Sequence, residues 1–462
     1  MSEQSLPQRW SPTDLGIDGP TALDMARAFR SVRANPLTFL ADLRARYGDL
    51  VALPVPGPPA LLLNDPADIR RVLQTSARHW TKDTVQYSAL RRVTGDGLLA
   101  TARPTWLEHR RIAAPAFHHE RLAGVGEQVV QATDEALDSW GPLPSASGAT
   151  RDVLELTTRV ALDVVGRALF SADLSSRAEG LLTATGAAAG LVVRLGRSIL
   201  PIPEWVPTPL HRQLHEARRE LDRLCGELVA ERRQGVTGSH GEDLLGLLLD
   251  SGMDDEGVRD ELVTMVIAGH ETVAAGLAWT LMLLAEDEAA QARVRDELGA
   301  LDGGLPLVGA GAVAPWTRAV VDESLRLYPP AWALSRRSTA VDVLGGREVP
   351  VGTLVILSPW LVHRHPGRWP EPEAFRPERF LGDASAAAVL ERGYLPFGAG
   401  PRLCIGREFA LGEMVIVLSR LLRRHRLSVP EGWTRPRVEA RVALHPHGGM
   451  PLLLSPVPPA ST

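Results

Sequence analysis

Ten residues, Phe397-Gly398-Ala399-Gly400-Pro401-Arg402-Leu403-Cys404-Ile405-Gly406, constrain this chain more than any other stretch. Glycines, a proline, a lone arginine and one of only two cysteines describe a tight, irregular loop. Gly398 and Gly400 permit backbone angles and close approaches that a side chain would block. The apolar run Glu408–Leu418 then predicts a helix, which sets Cys404 at a helix N-terminus. Orphan N–H groups and the helix dipole favour a thiolate there. Such a group serves as metal ligand or nucleophile, and a buried structural thiol is the third alternative.

The pattern Phe-x-x-Gly-x-Arg-x-Cys-x-Gly resembles the haem-binding loop of the cytochrome P-450 family. The resemblance extends over nearly the whole chain through several further motifs in the family's order. It implies a single cytochrome P-450 domain across residues 1–462, mainly α with a minor β-sheet region. Haem would lie between a long central helix, about 255–284, and the cysteine loop with its following helix.

Composition agrees with an ordinary globular protein: 462 residues, 45% hydrophobic and 23% charged. A net charge of −5 argues against nucleic acid as a partner. Two cysteines far apart make no disulfide framework, so a cytoplasmic setting is expected. Residues 1–20 contain no apolar run of signal-peptide or membrane-span length, so no membrane anchor is expected. Lys82 is the single lysine among 50 basic residues, a bias that carries no functional reading.

Patterning divides the chain. A β-rich portion is expected at about 45–65, 334–357 and 425–456, and a helical portion at about 104–330 and 405–424. Asp49–Leu53 and Ala60–Leu63 flank a proline-rich turn and read as a hairpin. Asp65-Pro66 caps a helix to about Gln74. Residues 83–102 look irregular, a loop. The proline-rich segment 200–209 cannot be a helix interior and is greasy enough to cover something apolar. Leu221, Leu224, Cys225 and Leu228 share one helical face, making Cys225 a packed core thiol. Gly345-Gly346 turns two strands.

In the central helix Met265, Ala268, Gly269 and Thr272 recur at i, i+3, i+4 and i+7, a face small in its middle. A flat ligand could lie against it, with Thr272 bonding back to the Ala268 carbonyl. Ala268-Gly269-His270-Glu271-Thr272 resembles the family's oxygen-activation motif, which implies that Glu271 and Thr272 handle protons. Val273 departs from the hydroxyl often found after the threonine, and His270 is given no role.

Glu323 and Arg326 stand at i, i+3. By resemblance, Arg379 of Phe375-Arg376-Pro377-Glu378-Arg379-Phe380 joins them in a structural network behind the cysteine loop. Trp106 and Arg110 match the family's Trp-x-x-x-Arg helix. With Arg402 and Arg337, the latter favoured over Arg336, they are the expected donors to the haem propionates. Phe397 is expected to pack on the thiolate side. His363-Arg364-His365 lacks a partner at ligand spacing and is no metal site.

The resemblance implies a haem b monooxygenase with Cys404 as axial ligand, placing one atom of O2 in an apolar small molecule. Met265, Val266, Trp332 and Leu334 would line the substrate pocket, for a terpenoid, fatty acid or polyketide-like guest. Further lining would come from 83–100, 185–208 and 445–450. Electrons would come from a separate ferredoxin or flavodoxin with its reductase, to a monomeric enzyme. A haem-thiolate isomerase or dehydratase and a non-catalytic haem sensor are the competing readings.

Overall fold

A computed structural model describes residues 15–457, apart from 56–57, 145–147, 175–176, 197–205, 207, 235–239, 302–303, 383–388 and 390. Most of the greasy segment 200–209 therefore lies outside the described residues.

Helices build the body. The central helix, Asp255–Glu286, starts on Asp254, whose carboxylate accepts the Gly257 N–H. It is apolar all round and buried on almost every side, the pattern of a core helix. Among the described residues it alone is long and apolar enough to cross a membrane, but 78% of its most apolar window is buried in the fold. It packs most extensively against the helix Val153–Phe170. The helix Arg407–Arg424 and the helix Pro315–Leu327 cover it from other directions.

The sheet region forms a separate wall with its own apolar clusters. Its strands run in the order Leu50–Leu53, Ala60–Leu63, Leu354–Leu357, Leu334–Ser338, Trp80–Thr81. Only the Ala60–Leu63 and Leu354–Leu357 pair is parallel. Gly345 and Gly346, at φ 56 and 72°, supply the double left-handed turn between Asp342–Leu344 and Arg347–Val349. At the far end, Pro451–Pro456 lies between Ala149–Asp152 and His425–Ser428. A terminal hairpin pairs Val438–Ala440 with Leu444–Pro446.

Several expectations need correction. Residues 83–102 are no plain loop: Val85–Thr94 is a helix whose Tyr87, Ala89, Leu90 and Val93 turn into the core. Its arginine-rich outer face hid that spacing. Two N-terminal helices, Ala22–Ala34 and Pro36–Tyr47, precede the hairpin. Ala149–Asp152, a strand without apolar alternation, had no counterpart in the sequence and exists because Pro451–Leu454 pairs with it. The helix begun at Asp65 ends in a π-helical turn, Arg71–Thr75.

Candidate active site

Phe397–Cys404 folds back on itself: the Cys404 N–H donates to the Phe397 carbonyl at 3.0 Å. Gly398 and Gly400 take φ of 71 and 70°. A Cβ on Gly400 would stand 1.9 Å from the Leu73 carbonyl oxygen, so no other residue fits. Phe397 is half-buried and packs on the main core. Cys404 precedes the helix Arg407–Arg424, as expected.

Over Leu262–Leu284 the central helix is buried except at Ala268, Gly269 and Thr272, which keep appreciable accessible surface. Cys404 also keeps it, although protein crowds the sulfur closely enough for burial to push its pKa up. Both observations hold if this surface faces an internal space rather than bulk water. The Gly406 N–H, then Arg110, Lys82 and Arg407, oppose that burial and favour the thiolate. Cys225 differs: deep in the helix Pro209–Arg233, burial pushes its pKa to about 12, and it is an inert core thiol.

Thr272 Oγ1 donates to the Ala268 carbonyl at 2.7 Å. Met265 shares this face, whereas Val266 lies about a third of a turn away from Thr272 and is packed in the core. Gly269 serves packing, because a Cβ there would meet Val165 Cγ2 at 2.7 Å. Trp332 and Leu334 pack with the sheet clusters, apart from Met265. The Trp332 indole N–H donates to the Arg441 carbonyl at 2.9 Å, which turns the ring toward the terminal hairpin.

Four cations converge near the cysteine loop. Arg110 Nη1 donates to the Leu403 carbonyl at 3.0 Å. Arg402 Nη1 donates to the Thr101 carbonyl at 2.8 Å, and its guanidinium lies 4.1 Å over the buried Trp106 ring. Arg336, only 5% exposed, reaches the Ser335 carbonyl at 2.8 Å and the Tyr87 hydroxyl at 3.4 Å. Arg337 does not join them. Adjacent strand residues face opposite ways, and its guanidinium is held by the Asp83 and Gly352 carbonyls at 2.9 and 3.2 Å.

The fourth cation, Lys82, was not found in the sequence. Its Nζ donates to the Leu99 carbonyl at 2.7 Å and sits 4.6 Å from the Tyr87 ring centre. Its signal was the isolation of one lysine in a chain that otherwise uses arginine. Burial, then Arg336 and Arg402, hold the Lys82 pKa well below the usual lysine range. Burial and then Arg336 pull Arg402 to about 9. The hydrogen-bond partners of all four are carbonyls and a phenol; among the described residues none pairs with a carboxylate. Clustered, partly desolvated cations without a counter-charge are costly unless an anion joins them.

Behind the loop, Arg326 and Glu323 form a fully buried bidentate pair at 2.7 and 2.8 Å. Arg326 also donates to the carbonyls of His363, Pro372 and Ala374. Arg379 Nε lies 3.3 Å from the same Glu323, whose Oε1 also accepts the Arg376 N–H. His363 extends this network: its ring bridges the Arg326 carbonyl, at 3.1 Å, and the Leu395 N–H, at 2.8 Å. Burial lowers its pKa to about 3, so it is neutral, with Nδ1–H the donor. No group of metal-binding side chains occurs among the described residues.

A cysteine loop and a small-residue helix face that both keep accessible surface, with four cations that have no carboxylate partner, together suit a flat, anionic, metal-centred ring. A family model, Cytochrome P-450, matches residues 22–453. Cyclooctat-9-en-7-ol 5-monooxygenase of Streptomyces melanosporofaciens is 34% identical over 421 residues, 87% of each chain. Cyclooctatin synthase of the same organism is 30% identical, over 92% of this chain and 93% of that one. The crystal structure of CYP175A1 from Thermus thermophilus superposes with a TM-score of 0.77 at 32% identity, covering 95% of this chain and all of its own. The chain belongs to the cytochrome P-450 family. It is a monooxygenase, and its cofactor is haem b held by a cysteine thiolate.

Proposed function

We propose that the protein hydroxylates a terpenoid-like apolar molecule, with Cys404 as the axial ligand of its haem. The observation that carries the haem assignment is the set of four cations, Lys82, Arg110, Arg336 and Arg402, without a carboxylate among them. Two propionates would supply the missing charge, with Trp106 as the floor beneath Arg402. Bound haem supplies the one-electron and oxygen chemistry. The chain's own part is to exclude water, fix the thiolate and handle protons. Glu271 and Thr272 carry the last task, and Met265 and Ala268 shape the apolar side of the space.

The two cyclooctatin relatives favour a polycyclic terpenoid over the fatty acid or polyketide alternatives. Electrons come from a separate ferredoxin or flavodoxin with its reductase. The exposed Arg111, next to Arg110 on the helix that bonds the cysteine loop, suits an acidic partner, in the cytoplasm. A difference spectrum of the reduced protein with carbon monoxide tests the thiolate. The long-wavelength Soret band is expected in the wild type and absent in Cys404→Ser; its survival in that variant would exclude Cys404. Substrate class is read from the substrate-induced Soret shift across diterpene alcohols, fatty acids and macrolactones. A response confined to fatty acids would overturn the terpenoid assignment.

A further inference from the structure

The two members of the acid–hydroxyl pair are held by different parts of the fold. Thr272 is bonded within its own helix, to the Ala268 carbonyl. Glu271, one residue earlier and about 100° around the helix, meets the terminal hairpin instead. Its Oε1 lies 3.2 Å from His445 Nε2, and the two side chains keep only 11 and 14% of their surface exposed. That distance suits an ion pair, but the atoms lie off the line of a hydrogen bond, and Nε2 has no other partner. The contact is therefore electrostatic rather than a hydrogen bond.

His445 itself is firmly placed. The neighbouring Leu444 carbonyl accepts the Trp279 indole N–H at 2.9 Å, and the Leu444 N–H donates to the Pro330 carbonyl at 3.2 Å. Trp279 is on the central helix, so hairpin and helix are pinned together two turns beyond Glu271. Other charged groups nearby are committed elsewhere. His270 is buried with Nδ1 2.5 Å from the Val266 carbonyl, and burial lowers its pKa. Glu439, opposite His445 across the hairpin, is occupied by His447 and Arg441 at 2.9 and 2.6 Å. Among the described residues, His445 is the charged partner left to act on the Glu271 carboxylate.

We propose that His445 is a pH-dependent positioning residue for Glu271. In its cationic form it holds the carboxylate at the hairpin; in its neutral form it releases Glu271 to turn toward Thr272. Histidine is the side chain whose charge changes in the physiological range. This inference rests on the reading of Glu271 and Thr272 as the proton-handling pair.

The first test needs no turnover: a thermal-stability cycle of wild type, His445→Gln, Glu271→Gln and the double variant. A non-additive Tm shift is expected near pH 6 and none near pH 9. Additivity at both would overturn the proposal. The second test is the fraction of electrons lost as hydrogen peroxide. Wild type is expected to lose less as pH rises. His445→Gln is expected to be fixed at the low value and His445→Lys at the high one. Wild-type pH dependence in His445→Gln would also overturn it. Thr272→Ala separates the two levels: unchanged tight coupling there sinks the proton-handling reading itself. Uncoupling there with an additive stability cycle sinks only the role of His445.

Discussion

His109 Nδ1 lies 2.7 Å from Glu261 Oε1, and that same oxygen accepts the Leu98 backbone N–H at 2.8 Å. One residue earlier on the central helix, Asp260 accepts the Asp96 N–H at 2.7 Å. Gly95 and Gly97 make this approach possible, since a Cβ on either would stand about 2.0 Å from the Asp260 or Thr264 side chain. Two adjacent acids thus clamp segment 95–98 to the helix. Immediately beyond it, the carbonyls of Leu99 and Thr101 hold Lys82 and Arg402. The cation ring near the cysteine loop is therefore positioned from the opposite side of the site.

The clamp has a pH dependence. The hydrogen bond to Glu261 is the main reason the His109 pKa is raised. A raised imidazole contributes stability that is complete below the ordinary value, about 6.5, and is lost as pH rises through the folded value. Tm is expected to fall as pH rises above that ordinary value, and His109→Gln to lower Tm and flatten the decline. Identical pH profiles for wild type and variant would rule the clamp out as its source.

Arg336 and Arg337 are adjacent in sequence and opposite in role. Replacing Arg336 by Gln removes a charged donor worth about 1.5–3 kcal/mol. Haem loss to an apomyoglobin acceptor is then expected to accelerate roughly 10- to 150-fold. Arg337→Gln removes bonds to the Asp83 and Gly352 carbonyls only, so its rate of haem loss is expected to match wild type.

Much of this architecture was legible, and the failures have physical causes. The Thr272–Ala268 bond and the Glu323–Arg326 pair depend on local spacing, which the chain displays openly, whereas Cys404 and Arg379, the latter 56 positions from Glu323, were read through the family's motifs. Arg336 against Arg337 depends on strand phase, and the neighbouring Ser335 and Ser338 gave no apolar alternation to reveal it. Trp332 and Leu334 were ambiguous likewise, since each is apolar enough for either a pocket or the sheet's own cluster, and each is half-buried beside that cluster. His445, His363 and Glu261 act through contacts across 174, 37 and 152 positions of the chain. Their partners become visible only when the fold brings the segments together.

The Glu323–Arg326 pair is sensitive to shape as well as charge. Arg326 uses its fork for both carboxylate oxygens and three carbonyls, a geometry that an ammonium cannot reproduce. Arg326→Lys is expected to cost about 3–5 kcal/mol, as breaking a buried pair does. Urea unfolding of the haem-loaded protein measures it. A loss below about 1 kcal/mol, the value of a surface pair, would show that the network does not hold segment 363–379 in place.

Lys82 carries the least obvious prediction, because its substitution is expected to have opposite signs in two states. In the haem-free protein it is a buried ammonium beside Arg336 and Arg402, with a single carbonyl and an aromatic face for company. Lys82→Met keeps the length and removes the charge, so the haem-free protein is expected to gain about 1–2 kcal/mol of stability. A propionate of bound haem would supply the counter-charge for the same ammonium, so the variant is expected to lose about 1.5–3 kcal/mol of cofactor affinity. Thermal melts of both forms, together with haem titration, measure the two effects. A variant less stable than wild type without haem, or equal to it in haem affinity, would show that Lys82 supports packing rather than the ring's charge.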